Sequence, residues 1–224
     1  MPPRPTRTDR LAWHLEHRKR CGCRPIPKGL LAIAEPAKKP RCGWVGDDPL
    51  MIHYHDTEWG VPSRDDRHLF EMLTLESAQA GLSWRTILWK RENYRRAFAR
   101  FDPKRVARFD ARTAARLMQD PGIVRNRLKI DATIANAKVV LAVHRDHGSL
   151  AKYLWTFAKD APIASRRKTL GDVPAKTPES DAMSRALAKR GFKFVGSTIC
   201  YAFMQACGLV DDHVDACFKA SRRR

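Results

Sequence analysis

The 224 residues contain no apolar run of eighteen or more and begin with no apolar segment, which predicts neither a membrane-spanning helix nor a secretory leader. The expected location is the cytoplasm or a nucleoid, with no membrane partner. Strand-like alternation is missing too, because no stretch keeps a two-residue period long enough to suggest a sheet. The predicted fold class is all-α. Acidic residues are scarce: 24 Asp and Glu stand against 43 Lys and Arg, giving a formal net charge of +19 and a pI near 10.2. A field of that sign concentrates polyanions, so nucleic acid is the first partner to suspect, with a merely solvated basic surface as the plainer alternative. Six cysteines, at 21, 23, 42, 200, 207 and 217, are expected to stay reduced in a chain without a leader. Metal binding is the expected use of the outer ones. What is plentiful is hydrophobic content, 43%, enough for one well-cored domain.

Residues 1–41 hold eleven Lys and Arg against three acidic residues, together with Pro2, Pro3, Pro5, Pro25, Pro27, Pro36 and Pro40. Prolines at that density leave room for one helix, over 9–20. Residues 1–40 therefore read as a basic, mostly disordered arm adding nonspecific phosphate contacts, or as an upstream extension from a misassigned start. The remainder still carries about +11 and divides into a domain over 41–218 and a basic tail over 219–224. Nothing in it suggests an obligate dimer, so a monomer is expected.

Along the body, apolar spacing and capping residues predict helices over 67–80, 84–98, 102–109, 111–118, 124–143, 150–157, 177–190 and 197–207. Asp110, Ser83 and Thr177 are the expected caps, with Pro178 in a first turn. Residues 162–175 form a polar, broken loop holding Arg166, Arg167 and Lys168. Trp89 and Trp155, and Cys200 and Cys207, read as core.

Two distant segments carry metal-ligand chemistry. Residues 42–60, CGWVGDDPLMIHYHDTEWG, offer Cys42 and His55 with twelve residues between them, and HVDAC at 213–217 offers His213 and Cys217 with three. Together they supply the four ligands of a closed tetrahedral zinc site, with no carboxylate and no open position, so the metal would be structural. Zinc fingers keep their ligands within about thirty residues, and spacing alone does not bring these pairs together; plain thiols and polar histidines remain the alternative. His53 competes with His55. Closing a loop of that length costs roughly 4 to 5 kcal/mol, which about 10 kcal/mol of structural zinc binding offsets.

Near the end, KRGFKFVG at 189–196 separates two helices. Gly191 and Gly196 permit a tight turn, Lys193 is basic, and the second helix points its positive end at whatever the turn approaches. That describes a helix-hairpin-helix DNA-binding unit, with an ordinary αα-hairpin as the alternative.

Several of these motifs occur in one order: RCGWV with DPL and YHDTEWG, LFEMLTLESAQAGLSW, GIVRNRLKI, and KRGFKFVGSTICYAFMQACGLVDDHVDAC. Over about 41–218 the chain resembles the 3-methyladenine DNA glycosylase I family, zinc-containing members of the helix-hairpin-helix glycosylases. The resemblance implies that Cys42, His55, His213 and Cys217 hold one structural Zn2+ per chain. It implies that Glu76 is the acid recognising the alkylated base, with Trp44, Tyr54, Trp59 and Trp84 around it. It also implies monofunctional hydrolysis of 3-methyladenine from double-stranded alkylated DNA, leaving an abasic site. Ser197 and Thr198 stand where lyase relatives carry a lysine. Met51 replaces a frequent aromatic, which puts one pocket wall in question, and Asp211 is a candidate activating residue.

Overall fold

A computed structural model describes residues 6, 9, 10, 13 and 39–220; the arm expected over 1–40, with its helix over 9–20 and its Cys21 and Cys23, falls almost wholly outside them, as does the tail beyond 220. Within 39–220 the chain forms nine α-helices: α1 (Pro49–Thr57), α2 (Asp66–Gln79), α3 (Trp84–Ala97), α4 (Pro103–Val106), α5 (Ala111–Leu117), α6 (Arg127–His147), α7 (Leu150–Trp155), α8 (Pro178–Lys189) and α9 (Ser197–Ala206).

The caps expected from sequence start these helices: Ser83 accepts from Thr86 N, Asp110 from Thr113 N and Thr177 from Ser180 N. Two boundaries differ from expectation. Helix α6 begins at Arg127, not 124, because Asn126 caps it and Val124 N donates instead to Tyr94 Oη at 3.1 Å. Helix α4 stops at Val106, where bonds from Arg108 N and Phe109 N to carbonyls three residues back tighten the chain.

Helix α2 is the axis of the molecule. Every residue from 69 to 78 is buried, and α3, α6, α7 and α9 pack around it. A helix enclosed on all sides must satisfy its polar groups internally. Thr74 Oγ1 donates to Phe70 O at 2.9 Å, and Ser77 Oγ donates to Leu73 O at 2.7 Å and to Phe194 O at 2.9 Å, which ties the α8–α9 turn to the core. Lys129 Nζ closes the C-terminal end by donating to Ala78 O and Ala80 O at 2.8 and 2.6 Å. Burying each of Leu69, Phe70, Met72 and Leu73 contributes about 1.5 to 3 kcal/mol.

One small departure from an all-helical chain concerns the 162–175 loop. Ile163–Ala164 (β1) pairs in parallel with Val210–Asp211 (β2), and Arg167 bridges to Val214. Two residues are too few to show a period, and the pairing answers a local need: the loop crosses a buried segment and its backbone groups require partners.

The connection after α1 is strapped to the end of α9 by Gly60 N to Gln205 O at 3.1 Å and Ser63 N to Cys207 O at 3.0 Å. Two glycines allow this approach. A Cβ on Gly208 would stand 2.4 Å from Pro62 N, and one on Gly60 would stand 2.8 Å from His213 Nε2, both at positive φ.

Candidate active site and metal centre

Asp48 caps α1 and Pro49 opens it, which fixes the direction of a short helix whose adjacent residues Tyr54 and His55 point to different sides. His55 meets the C-terminal segment. Its Nε2 lies 3.4 Å from Cys217 Sγ; His213 Nδ1 lies 3.5 Å from Cys217 Sγ and 3.6 Å from Cys42 Sγ, and all four ligand atoms fall within 4.8 Å of one another. Around a tetrahedral zinc, bonds of about 2.3 Å to sulfur and 2.0 to 2.1 Å to nitrogen separate the two by about 3.5 Å. The donor set and the spacing fit that ion. Beyond the ligands, His55 Nδ1 is 2.9 Å from Asp56 Oδ1, and Arg41 holds the same carboxylate from two directions at 2.8 and 2.7 Å. Such a carboxylate fixes the ring and its tautomer for metal binding. His53, the competing candidate, is not in the cluster.

Tyr54 turns the other way, into a cavity of about 350 Å³ lined by Trp44, Tyr54, Trp59, Glu76, Gln79, Trp84, Leu170, Val173, Ala202, Gln205 and Asp212. The aromatics form one continuous wall. Trp44 meets Trp59 edge-on at 5.1 Å between centroids, Tyr54 lies 5.4 Å from Trp84, and Trp59 also stands 4.6 Å from the His213 ring. The cavity therefore shares a partition with the metal centre. Two of its polar groups, Tyr54 Oη and Trp84 Nε1, are buried without a hydrogen-bond partner among the described residues. Glu76 is 5% exposed, and desolvation pushes its carboxyl up to about 8. An aromatic chamber that holds a buried carboxyl suits a planar ring with a polar edge.

Comparison with known proteins agrees. The methyladenine glycosylase family model matches residues 44–220. The chain belongs to the methyladenine glycosylase family. DNA-3-methyladenine glycosylase 1 of Escherichia coli (strain K12) is 54% identical over 177 residues, covering 79% of this chain and 95% of that one. A crystal structure of 3-methyladenine DNA glycosylase I superposes with a TM-score of 0.79 at 54% identity, covering 80% of this chain and 98% of the other. A Tyr-to-Phe variant of 3-methyladenine DNA glycosylase I, crystallised with 3-methyladenine, superposes at 0.79 with 35% identity, covering 82% and 99%.

In this glycosylase the turn between α8 and α9 holds Gly191 at a φ of +96°, leaves Lys193 exposed, and makes Gly196 an N-cap without a side-chain bond. Within the turn the Lys193 peptide is held by the chain itself. Its N–H donates to Asn136 Oδ1 at 2.7 Å, and Asn136 Nδ2 donates back to Lys193 O at 3.0 Å, so that peptide unit fastens the turn to α6.

Met51 is buried but outside the cavity, so the aromatic it replaces leaves no gap there. Asp211 does not reach the cavity either; its Oδ1 accepts from His213 N at 3.2 Å, and its neighbour Asp212 lines the wall. Trp155 is core, with Nε1 donating to Ser63 O at 2.8 Å. Sequence reasoning missed Gln79, Leu170, Val173, Ala202, Gln205 and Asp212. Gln79, three residues after Glu76 on α2, and the pair Ala202 and Gln205 on α9 carried a helical-spacing signal; Leu170 and Val173, in an irregular loop, carried none.

Proposed function

We propose that this glycosylase removes 3-methyladenine from alkylated double-stranded DNA by hydrolysis, releasing the free base and leaving an abasic site for base-excision repair. The observation that carries this reading is Glu76: a carboxyl buried in an aromatic chamber, with no cation beside it among the described residues. A target base inside a duplex is out of reach, so it must be flipped into the chamber. Trp44, Tyr54, Trp59 and Trp84 supply its stacking walls, each contact contributing about 1 to 3 kcal/mol.

Methylation at N3 gives adenine a positive charge and weakens the bond from N9 to the sugar. Glu76 responds to that charge. An acid that burial pushes up to about 8 gives its proton to solvent when a cation enters the chamber, and the carboxylate then accepts a hydrogen bond from the exocyclic amine. An undamaged neutral base gains no such partner. With the leaving group already cationic, the N9–C1′ bond breaks with its electron pair on N9 and the base departs neutral; water adds to C1′ and gives up its proton to solvent, so no strong general acid is needed. A lyase step would require an amine nucleophile, and the chamber residues include no lysine.

Cys42, His55, His213 and Cys217 would hold one structural Zn2+ per chain, whose role is to join the two ends of the domain over 41–218. All four positions are taken by protein, so the ion supplies cross-linking and no water activation. Gly196 and the first turn of α9 would take a backbone phosphate, with Lys193 beside it and the basic segments before 41 and after 218 adding nonspecific contacts. A monomer acting on the bacterial nucleoid accounts for these parts.

The test is release of free bases from N-methylated duplex DNA, separated by chromatography. Release of 3-methyladenine by the wild type and its loss in Glu76→Ala supports the reading. Zinc-loaded, folded protein that binds DNA and releases nothing overturns it in favour of a noncatalytic DNA-binding protein.

A further inference from the structure

Two chamber residues, Gln205 and Asp212, are left without a task by the glycosylase reading, on which the role assigned to them rests. Asp212 is 2% exposed, and its carboxylate accepts from four donors. Oδ1 takes Arg167 Nε at 3.0 Å and the Ser165 hydroxyl; Oδ2 takes Gln205 Nε2 at 2.8 Å and the Tyr201 hydroxyl. Ser165 and Arg167 come from the loop joined to β2, and Tyr201 and Gln205 lie one turn apart on α9, so two segments hold one side chain in place.

That arrangement settles an ambiguity Gln205 would otherwise have. A carboxylate paired with a guanidinium accepts hydrogen bonds and donates none. Gln205 must therefore turn its amide nitrogen to Asp212 and its carbonyl Oε1 away from it. Among the described residues Oε1 has no hydrogen-bond partner, and Gln205 lines the chamber. The chamber is thus furnished with two acceptors on packed helices, Glu76 on α2 and Gln205 on α9.

Adenine methylated at N3, within a nucleotide, has a single donor group, the amine at position six, with two hydrogens. Guanine carries an acceptor oxygen at that same position. We infer that Gln205, oriented by Asp212, is a specificity-determining residue that accepts the second hydrogen of the six-amine and rejects the six-oxygen of an alkylated guanine. Facing Oε1, a guanine O6 leaves two acceptors opposed with no hydrogen between them. A site built around a hydrogen bond discriminates strongly because its own polar group stays unpaired with the wrong partner. Asp212 matters because a freely turning amide would offer N–H to O6 and erase the preference.

The experiment measures 3-methyladenine and 3-methylguanine released from one preparation of methylated duplex DNA by the wild type, Gln205→Met and Asp212→Asn. Met keeps the length of the side chain without an acceptor, and Asn at 212 can donate as well as accept, which frees the Gln205 amide to turn. The ratio of the two rate constants is expected to fall about tenfold in Gln205→Met and severalfold in Asp212→Asn. A general loss of folding scales both rates alike and leaves the ratio untouched. An unchanged ratio in either variant, beside an active wild type, overturns the inference alone. A wild type that releases neither base overturns the glycosylase reading and this inference with it.

Discussion

Glu71 and Glu76 lie five residues apart on α2 and are equally buried, at 6% and 5% exposed, yet their surroundings are opposite. Glu71 accepts from Arg91 Nε at 2.6 Å and Arg95 Nε at 2.8 Å. Arg91 also grips Glu58 through two bonds of 2.7 Å, and His68 reaches Glu58 at 3.0 Å. Burial would raise the Glu58 carboxyl, but those hydrogen bonds overcome it and hold the group well below the usual carboxylate range. Glu76 has no cation beside it among the described residues, so burial acts on it unopposed. Burial alone therefore does not separate scaffold from site. Partners do: polar groups satisfied within the chain bind α1, α2 and α3 together, whereas Glu76, Tyr54 Oη and Trp84 Nε1 meet in the chamber without such ion pairs among the described residues.

Breaking the satisfied side should cost stability, most of all at the proposed zinc site. Cys217→Ser would remove one ligand of the proposed structural zinc, whose binding would contribute about 10 kcal/mol, as much as the net stability of a typical domain. Loss of cooperative thermal unfolding is expected, together with loss of one equivalent of zinc by elemental analysis; an unshifted transition would separate the cluster from the fold. Glu71→Ala should lower stability by about 3 kcal/mol, since it strips one carboxylate from buried Arg91, while base release per folded molecule stays near wild type. Denaturant titration beside a single-turnover assay would show whether both halves hold.

Breaking the unsatisfied side should do the reverse. Glu76→Gln keeps an acceptor but loses the charge, and kcat/KM for 3-methyladenine is expected to fall about 10- to 100-fold with no loss of melting temperature. A subtler sharpening is the pH dependence of stability. With a folded pKa near 8 against an ordinary value of 4.5, native Glu76 keeps its proton where the unfolded chain has lost it. Its contribution is fully present below about pH 4.5 and is lost as pH rises toward 8, so wild type should lose stability relative to Glu76→Gln across that window. Parallel urea midpoints for the two proteins from pH 5 to 8 would deny it. The smallest effect belongs to Lys193→Ala, a severalfold weaker grip on DNA with the salt slope reduced by about one.

Much of this molecule is legible in its sequence. Helix caps such as Ser83, Asp110 and Thr177 are local chemistry and sit where local chemistry puts them, and so do the glycines of the α8–α9 turn. The residue types at 42, 55, 213 and 217 suggest ligands, but residue type does not choose His55 over His53, and the meeting of the four depends on the strap from Gly60 and Ser63 to α9, which no local pattern encodes. The start of α6 escapes a local reading because Tyr94 claims the Val124 amide from thirty residues away. Glu76 looks like any helical glutamate without its family resemblance, since the absence of a partner is a property of the packed core. Asp212 is hidden for the same reason: its four donors come from two distant segments, and the neighbouring Asp211 looks no different in the sequence.

The most direct test of the account is an NMR titration of the Glu76 side-chain carbon, with Glu76→Gln assigning the signal, in the free protein and with an N3-methylated adenine bound. Titration near pH 8 in the empty chamber and an ionised carboxylate at neutral pH in the complex is the predicted result. Titration near 4.5 without ligand, or a carboxyl that stays protonated beside the base, would contradict it.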